Sequence, residues 1–388
     1  MLLTPAFPPS TGGIERTAAA LAGGLNDFKV EVVAGRPESP VGMRPPAGIL
    51  VHWAANDPPG GRRATLALSR LALRICLGFR PNLVLSLHIR TMPAARAIAR
   101  LTGARVILVV HAKEMCEQPA LARAAIGWAD GIVTVSRFSS ELALEAGADP
   151  GRITLIHPGV TPPEASPPPL SARPGPPTII SVSRLSDSSK GHDIALEAMA
   201  RLHTLRPYLR WEIVGDGLLR PELERRADQL GLSTCVTFAG TLDDEALGRA
   251  LNSAHVFCLL SRPAPAGAAG EGFGIAFVEA GAHGLPVLAG RTPGVVDAVA
   301  EGKTGLLVDP TDPQSVANGI DRLLSNPALA ERLAAGGREW ATALEWPRVV
   351  ARYRELIHYV LASPGRGNGS RGLRWVRDLA DGPRAPRV

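Results

Sequence analysis

The stretch Thr161-Pro-Pro-Glu-Ala-Ser-Pro-Pro-Pro-Leu-Ser-Ala-Arg-Pro-Gly-Pro-Pro177 interrupts an otherwise regular alternation of short apolar runs and amphipathic segments. Proline fixes φ and has no amide donor, so this stretch cannot be core and reads as an extended interdomain connector. Before it, runs at 1–4, 29–34, 49–53, 82–87, 105–110, 131–136 and 152–156 read as strands, with helical patterns at 14–25, 65–79 and from Ser139. After it the alternation restarts, with strands at 178–182, 210–214, 235–238, 255–260 and 286–289 and helices at 193–204, 221–230, 243–253 and 275–283. Strands this apolar between helices imply parallel sheets covered on both faces. The predicted class is therefore α/β, with two doubly wound Rossmann-like domains facing a cleft. Ligands of such sheets bind beyond the carboxyl ends of the strands.

At 388 residues the chain is long for one core, which agrees with two domains. Aromatic residues make up 4% and the mean hydropathy is +0.09, as in soluble globular proteins. A basic leader with an apolar core and an apolar run of 18 residues are both missing, so neither a signal peptide nor a membrane span is expected. Cys76, Cys116, Cys235 and Cys258 are widely spaced, which suggests structural thiols in a reducing cytoplasm. The net charge of +6 is almost all arginine, and lysine occurs only at Lys29, Lys113, Lys190 and Lys303. With no zinc-finger, RNA-binding aromatic or basic heptad pattern, a nucleic-acid partner is not expected.

Several strand-to-helix junctions carry chemistry. Gly270-Glu271-Gly-Phe-Gly274 precedes the helix from Ile275, which carries Glu279 about a turn and a half inside. A helix N-terminus offers free N–H groups to an anion, while a neighbouring carboxylate suits the hydroxyls of a polyol. The plainer alternative makes Glu271 a helix cap and Glu279 a surface residue. In Ser183-Arg184-Leu-Ser-Asp-Ser-Ser-Lys190-Gly191-His-Asp193, two cations leave one strand end, as a diphosphate would require, and Asp193 can cap the following helix. The Gly12-Gly13 turn follows the first strand and opens a helix, although it matches neither a P-loop nor GxGxxG. His88 and His111 end two apolar strands, and Lys113 and Glu114 make the second end unusually polar. Asp243-Asp244 looks like a helix start, so no metal is assigned to it.

These residues together resemble a retaining glycosyltransferase of the GT-B fold, sequence family 4, over nearly the whole chain. The matching stretches are Pro8-Pro9-Ser-Thr-Gly-Gly13-Ile-Glu-Arg16, Ser183-Arg184-Leu185 with Lys190-Gly191, Gly215-Asp-Gly217, Glu271-Gly-Phe-Gly274 with Glu279-Ala280, and Gly302-Lys-Thr-Gly305-Leu-Leu-Val308. The C-terminal part most resembles phosphatidylinositol and polysaccharide mannosyltransferases. The resemblance implies that Arg184 and Lys190 hold the donor diphosphate, Glu279 receives the ribose hydroxyls and Glu271 lies near the transferred hexose. It places His111 toward the sugar and leaving phosphate, and the backbone of Gly12 and Gly13 near phosphate and acceptor. The glycine pair expected after Gly290 appears as Thr292-Pro293-Gly294, which leaves Gly294 as the phosphate-facing candidate.

The resemblance also implies an acceptor-side domain at 1–160, the connector at 161–177 and a donor-binding domain at 178–345. A helix at 346–362 crosses back to the first domain, and a basic tail at 363–388 is expected to be disordered. The expected reaction moves a hexose, mannose among the choices, from GDP-mannose or a UDP-sugar to a lipid-linked or saccharide acceptor with retention, without a metal or other cofactor. The alternatives are another GT-B chemistry, an epimerase or phosphorylase, and a non-catalytic nucleotide-sugar-binding subunit. Six positions separate Arg184 from Lys190, so that loop is expected to bulge, and 262–270 reads as an insertion bearing on base and sugar choice. Arg63, Arg70 and Arg74 share one helix face. That face reads either as solvated arginines on a sheet-covering helix or, with Leu373-Arg-Trp375-Val-Arg377-Asp-Leu379, as a peripheral contact of a cytoplasmic protein with anionic lipid.

Overall fold

A strand buried on both faces has no solvent side, and Arg105–Val110 shows it: five of its six residues, Val106 onward, are fully buried. The computed structural model describes residues 1–10, 12–37, 43–54, 61–263 and 271–363. They form two compact units, unit 1 from Met1 to Gly159 with the chain from Trp346, and unit 2 from Val160 to Glu345.

Unit 1 contains β1 (Leu2–Thr4), α1 (Gly13–Gly24), β2 (Glu31–Ala34), β3 (Leu50–Trp53), α2 (Arg62–Phe79), β4 (Leu83–Ser86), α3 (Met92–Thr102), β5 (Arg105–Val110), α4 (Ala112–Glu117), α5 (Pro119–Trp128), β6 (Gly131–Thr134), α6 (Arg137–Glu145) and β7 (Ile153–Leu155). Its seven strands run in the order β3-β2-β1-β4-β5-β6-β7, every neighbouring pair parallel. β6 stops at Thr134 rather than at 136 because Ser136 caps α6, its Oγ accepting from the Ser139 N–H at 3.1 Å.

Unit 2 contains β8 (Thr178–Val182), α7 (His192–Leu205), β9 (Arg210–Val214), α8 (Arg220–Gln229), β10 (Val236–Gly240), α9 (Asp244–Ser253), β11 (Val256–Leu259), α10 (Ile275–Ala282), β12 (Val287–Gly290), α11 (Val295–Ala298), β13 (Gly305–Val308), α12 (Pro313–Ser325) and α13 (Pro327–Ala343). Six parallel strands run β10-β9-β8-β11-β12-β13. The last two helices carry clear start signals, Asp312-Pro313 and Asn326-Pro327, each a side-chain cap followed by proline at the first helical position. α13 lies against α10 so closely that a Cβ on Gly281 would come within 3.1 Å of the Gly337 backbone.

The final helix, α14 (Trp346–Ala362), is part of unit 1. Arg352 donates to the Leu155 carbonyl at 2.7 Å, and Arg354 reaches the Gly24 carbonyl and Asp27 at 3.0 Å each. Among the described residues no helix is long and apolar enough to cross a membrane, and all four cysteines are unpaired.

The proline-rich stretch lies outside the core as expected, with one exception, Arg173. Arg173 is 6% exposed, and its guanidinium donates to four carbonyls of unit 2, those of Leu251, Ala254, His283 and Gly284. Nearby, the Leu170 N–H donates to Glu331 at 2.9 Å. Burial pulls the Arg173 pKa down to about 10, offset by Glu331 and reinforced by Arg338, so the group stays charged at pH 7. A single cation thus supplies donors that the carbonyls at the ends of α9 and α10 would otherwise lack. Arg173→Met should cost about 3 kcal/mol, because it leaves buried carbonyls unpaired. Urea unfolding of the two proteins measures this, and an unchanged midpoint would refute it.

Candidate active site

In unit 2 the polar residues gather where a doubly wound sheet leaves room, past the carboxyl ends of β8 and β11. Arg184 follows β8 directly. Its loop is templated by Gly215 of the Gly215-Asp-Gly217 turn after β9: at φ 131° a Cβ there would lie 1.9 Å from the Ser183 carbonyl oxygen. Only glycine permits that contact. The loop is closed by the Leu185 N–H donating to Asp216 at 2.9 Å and the Leu219 N–H donating to Leu185 at 2.8 Å. Arg184 is exposed, and its guanidinium has no hydrogen bond or ion pair among the described residues. The longer Arg184–Lys190 spacing is taken up by a single 3-10 turn at Ser188–Lys190, capped by Asp187.

Lys190 leaves that turn to meet Glu271: Nζ donates to Oε2 at 2.6 Å, with both side chains 18% exposed. Ser261, beyond β11, donates to the same Oε2 at 3.2 Å. Glu271 is therefore not the cap of α10, whose N-cap is Gly274. The loop bearing Glu271 rests on Gly294: at φ 83° a Cβ on Gly294 would lie 2.4 Å from the Glu271 carbonyl oxygen. The candidate phosphate-facing glycine thus also sets the backbone of the candidate hexose-facing acid. Glu279 sits half-buried on α10 and has a partner of its own. Asp193 does not cap α7, whose N-cap is Gly191 in the left-handed region; it pairs instead with Arg262 at 2.7 Å. Asp243 does cap α9, accepting from the Ala246 N–H at 2.8 Å. Among the described residues no three His, Cys, Asp or Glu side chains group as metal ligands.

Unit 1 holds the remaining candidates. Gly12 is the N-cap of α1 and Gly13 its exposed first residue. The Glu15 carboxylate folds back to 2.5 Å from where a Cβ on Gly12 would lie. His111 ends β5 and is the N-cap of α4, where it closes a reciprocal capping box with Glu114. Burial holds the His111 ring below the usual histidine range, with Glu114 opposing and His88 reinforcing, so the ring is neutral at pH 7. Ser261 and Glu114 are the polar residues that sequence reasoning underused. A serine one position past an apolar strand, and an acid three positions past a strand-end histidine, are the signals that mark them.

Structural likeness places the fold in a class. The chain superimposes on a sucrose-phosphate synthase from Thermosynechococcus elongatus with TM-score 0.78 at 20% identity, covering 94% of this chain and 99% of that one. A glycosyltransferase from Rickettsia africae gives TM-score 0.73 at 19% identity, covering 94% and 99%. The fold is accordingly of the GT-B type, built of two Rossmann-like domains. Residues 11–163 match the family model of Glycosyltransferase Family 4, and residues 164–340 that of Glycosyl transferases group 1. The chain belongs to this glycosyltransferase family. It is 32% identical over 275 residues to a GDP-mannose-dependent alpha-(1-6)-phosphatidylinositol monomannoside mannosyltransferase of Mycolicibacterium smegmatis, covering 67% of this chain and 72% of the relative. The corresponding protein of Mycobacterium tuberculosis is 28% identical over 394 residues, covering 92% and 97%. A D-inositol 3-phosphate glycosyltransferase of a Nocardioides species is 34% identical over 220 residues, covering 51% and 46%.

The loop after β8 also depends on a buried ring. His192 stacks on Trp211 with 6.4 Å between centroids, and its Nε2 lies 3.3 Å from the Ser183 hydroxyl. Burial, then Lys190, pushes its pKa down to about 4, with Asp193 opposing. An unfolded histidine takes up its proton near pH 6.5, so between pH 6.5 and 4 the unfolded chain binds the extra proton. Stability therefore falls as pH drops through this window, by roughly 3 kcal/mol for this site, with no contribution above it. His192→Phe should lose about 2–3 kcal/mol less than the wild type between pH 7 and 4.5 in urea unfolding; parallel losses would rule this out.

Proposed function

We propose that this glycosyltransferase moves mannose from GDP-mannose to a lipid-linked or saccharide acceptor, with retention at the anomeric carbon. The observation carrying this reading is the Lys190–Glu271 pair at 2.6 Å, with Lys190 in the same loop as Arg184, whose guanidinium has no partner among the described residues. Lys190 and Arg184 supply fixed positive charge for a diphosphate, and Glu271 and Glu279 accept hydrogen bonds from hexose and ribose hydroxyls. Similarity to GDP-mannose-dependent phosphatidylinositol monomannoside mannosyltransferases supports mannose and an inositol lipid as the first substrates to test.

In the reaction, the bond from the anomeric carbon to the diphosphate oxygen breaks and a bond to the acceptor oxygen forms on the same face. The acceptor's proton passes to the departing phosphate oxygen. The protein contributes position and charge: Lys190 exchanges its bond to Glu271 for phosphate oxygens, which frees Glu271 for the sugar. Charge neutralisation at the diphosphate is assigned to Arg184 and Lys190, so the reaction requires no metal in this reading. Neutral His111 and the backbone of Gly12 and Gly13 serve the sugar, leaving phosphate and acceptor. Gly274 and Gly294 shape the loop that faces the diphosphate.

Nucleotide binding tests the donor assignment. A ligand at about 100 times its Kd stabilises by roughly 2.7 kcal/mol, enough to read as a thermal shift. GDP should shift the wild type, UDP and ADP should not, and Lys190→Ala and Glu279→Ala should lose the shift. A response to UDP alone would discard mannose. With GDP-mannose and phosphatidylinositol monomannoside, GDP should appear only when the acceptor is present, and the product should carry an α-linked mannose. Release of GDP without acceptor, or a β product, would overturn the mechanism.

A lipid acceptor requires approach to a membrane surface. α2 presents Arg63, Arg70 and Arg74 with Leu66 and Leu77, which are 50% and 68% exposed, and no acidic residue lies in the helix. A basic face with interspersed exposed leucines suits an anionic bilayer surface. The apolar-basic segment from Leu373 to Leu379 lies outside the described residues. The protein should sediment with phosphatidylglycerol vesicles but not with phosphatidylcholine vesicles, and Arg63, Arg70 and Arg74 together changed to Glu should abolish it. Unchanged sedimentation of that variant would remove α2 from the contact.

A further inference from the structure

Glu114 is 4% exposed, a carboxylate buried at the junction of β5 and α4, and the transfer described above does not use it. It ties together two strand ends. β4 and β5 are adjacent and parallel, with Ser86 opposite Leu108, so His88 and His111 follow neighbouring strands. Glu114 Oε1 accepts the His111 backbone N–H at 3.0 Å, and Oε2 accepts the Ile89 N–H at 3.1 Å. Oε2 also lies 2.6 Å from Nδ1 of the His88 ring, whose side chain is 14% exposed.

That last distance determines where the ring proton sits. Nδ1 has one in-plane position, occupied either by a proton or by a lone pair. The Arg90 N–H approaches Nδ1 at 3.1 Å, as it would a lone pair. Two oxygens that already accept backbone N–H groups offer no proton of their own, so a 2.6 Å contact to one of them is made by a proton on Nδ1. The weaker Arg90 approach gives way to the charge-assisted bond. In the neutral ring Nε2 then carries the lone pair, and no described residue hydrogen-bonds to it. A histidine whose tautomer is set by a carboxylate on its other nitrogen is a pre-oriented hydrogen-bond acceptor.

We propose that Glu114 is a positioning residue that holds His88 in the Nδ1–H form, so that His88 Nε2 accepts a hydrogen bond from a hydroxyl of the glycosyl acceptor. The proposal rests on the transferase reading above and adds an acceptor-binding residue to it. Orientation of the attacking hydroxyl is a positioning effect, so its loss appears in the acceptor KM and in kcat, and donor binding by unit 2 stays intact.

The tautomer is read by nitrogen NMR of histidine-labelled protein, which needs no turnover. His88 should show a protonated Nδ1 with a strongly downfield proton and an unprotonated Nε2. In Glu114→Gln an amide offers one acceptor oxygen where the site requires two, so that proton signal should be lost. With GDP-mannose and phosphatidylinositol monomannoside, kcat/KM for the acceptor should fall at least about tenfold while the GDP thermal shift is unchanged. His88→Leu should match that loss, His88→Gln, which keeps an amide near Nε2, should recover part of it, and Glu114→Gln should add little to His88→Leu. An Nε2–H tautomer in the wild type, or full acceptor kinetics in either Glu114→Gln or His88→Leu, overturns the proposal. Should Glu114→Gln fail to fold, the two His88 variants decide it. A wild type inactive on this substrate pair but showing the Nδ1–H signal sinks the transfer reading and the acceptor contact with it, and leaves the positioning of His88 by Glu114 standing.

Discussion

Parallel pairing of backbone strands is the constraint on which the rest of this structure depends. Every neighbouring strand pair in both sheets is parallel. A parallel partner cannot be reached by a tight hairpin, so the chain must cross back over a sheet face, and helices cover both faces. Strands enclosed in this way can carry almost nothing polar. Charged and hydroxylic side chains are therefore expelled to the loops that leave the strands, and successive loops of one sheet end up side by side. His88 and His111 in unit 1, and Lys190 and Ser261 in unit 2, which share one oxygen of Glu271, are neighbours for this reason although tens of residues separate each pair in sequence.

Within those loops, close backbone approaches hold the chemistry in place. Gly215 lets the turn after β9 touch the backbone that carries Arg184, and Gly294 lets the turn after β12 touch the backbone that carries Glu271. A loop held by main-chain contacts keeps its place when its side chains exchange partners. The Lys190–Glu271 pair requires that property, because both groups must turn from each other to a donor. The stretch before β8 adds a third restraint. Arg173 fastens the ends of α9 and α10 to the connector through one guanidinium, so a segment that looks like a spacer helps to hold the sheet's covering helices.

Much of this was legible in the residues. Apolar runs of four to six residues between amphipathic segments identify parallel strands with little ambiguity, because no other common element is apolar on both faces and so short. Strand-end polarity was legible for the same reason at Arg184 and His111, which follow apolar runs where a strand must stop. Less legible were partners distant in sequence. Nothing in the composition of 161–177 distinguishes a buried Arg173 that donates to four carbonyls from a solvated one. Asp193 reads as a helix cap in the sequence, but α7 starts one residue earlier with Gly191 as its N-cap, and Asp193 pairs with Arg262 instead.

The sequence alone determined the class of fold and the residue types gathered at each strand end. Local pattern suffices for these because burial and helix periodicity act over a few neighbouring residues. Tertiary structure alone decided which of those residues meet: Lys190 with Glu271 across 81 positions, and His88 with Glu114. Such contacts depend on strand order and on backbone approach at glycines, quantities that no single segment encodes. The protonated nitrogen of His88 is likewise set by a carboxylate 2.6 Å away that arrives from the next strand's end.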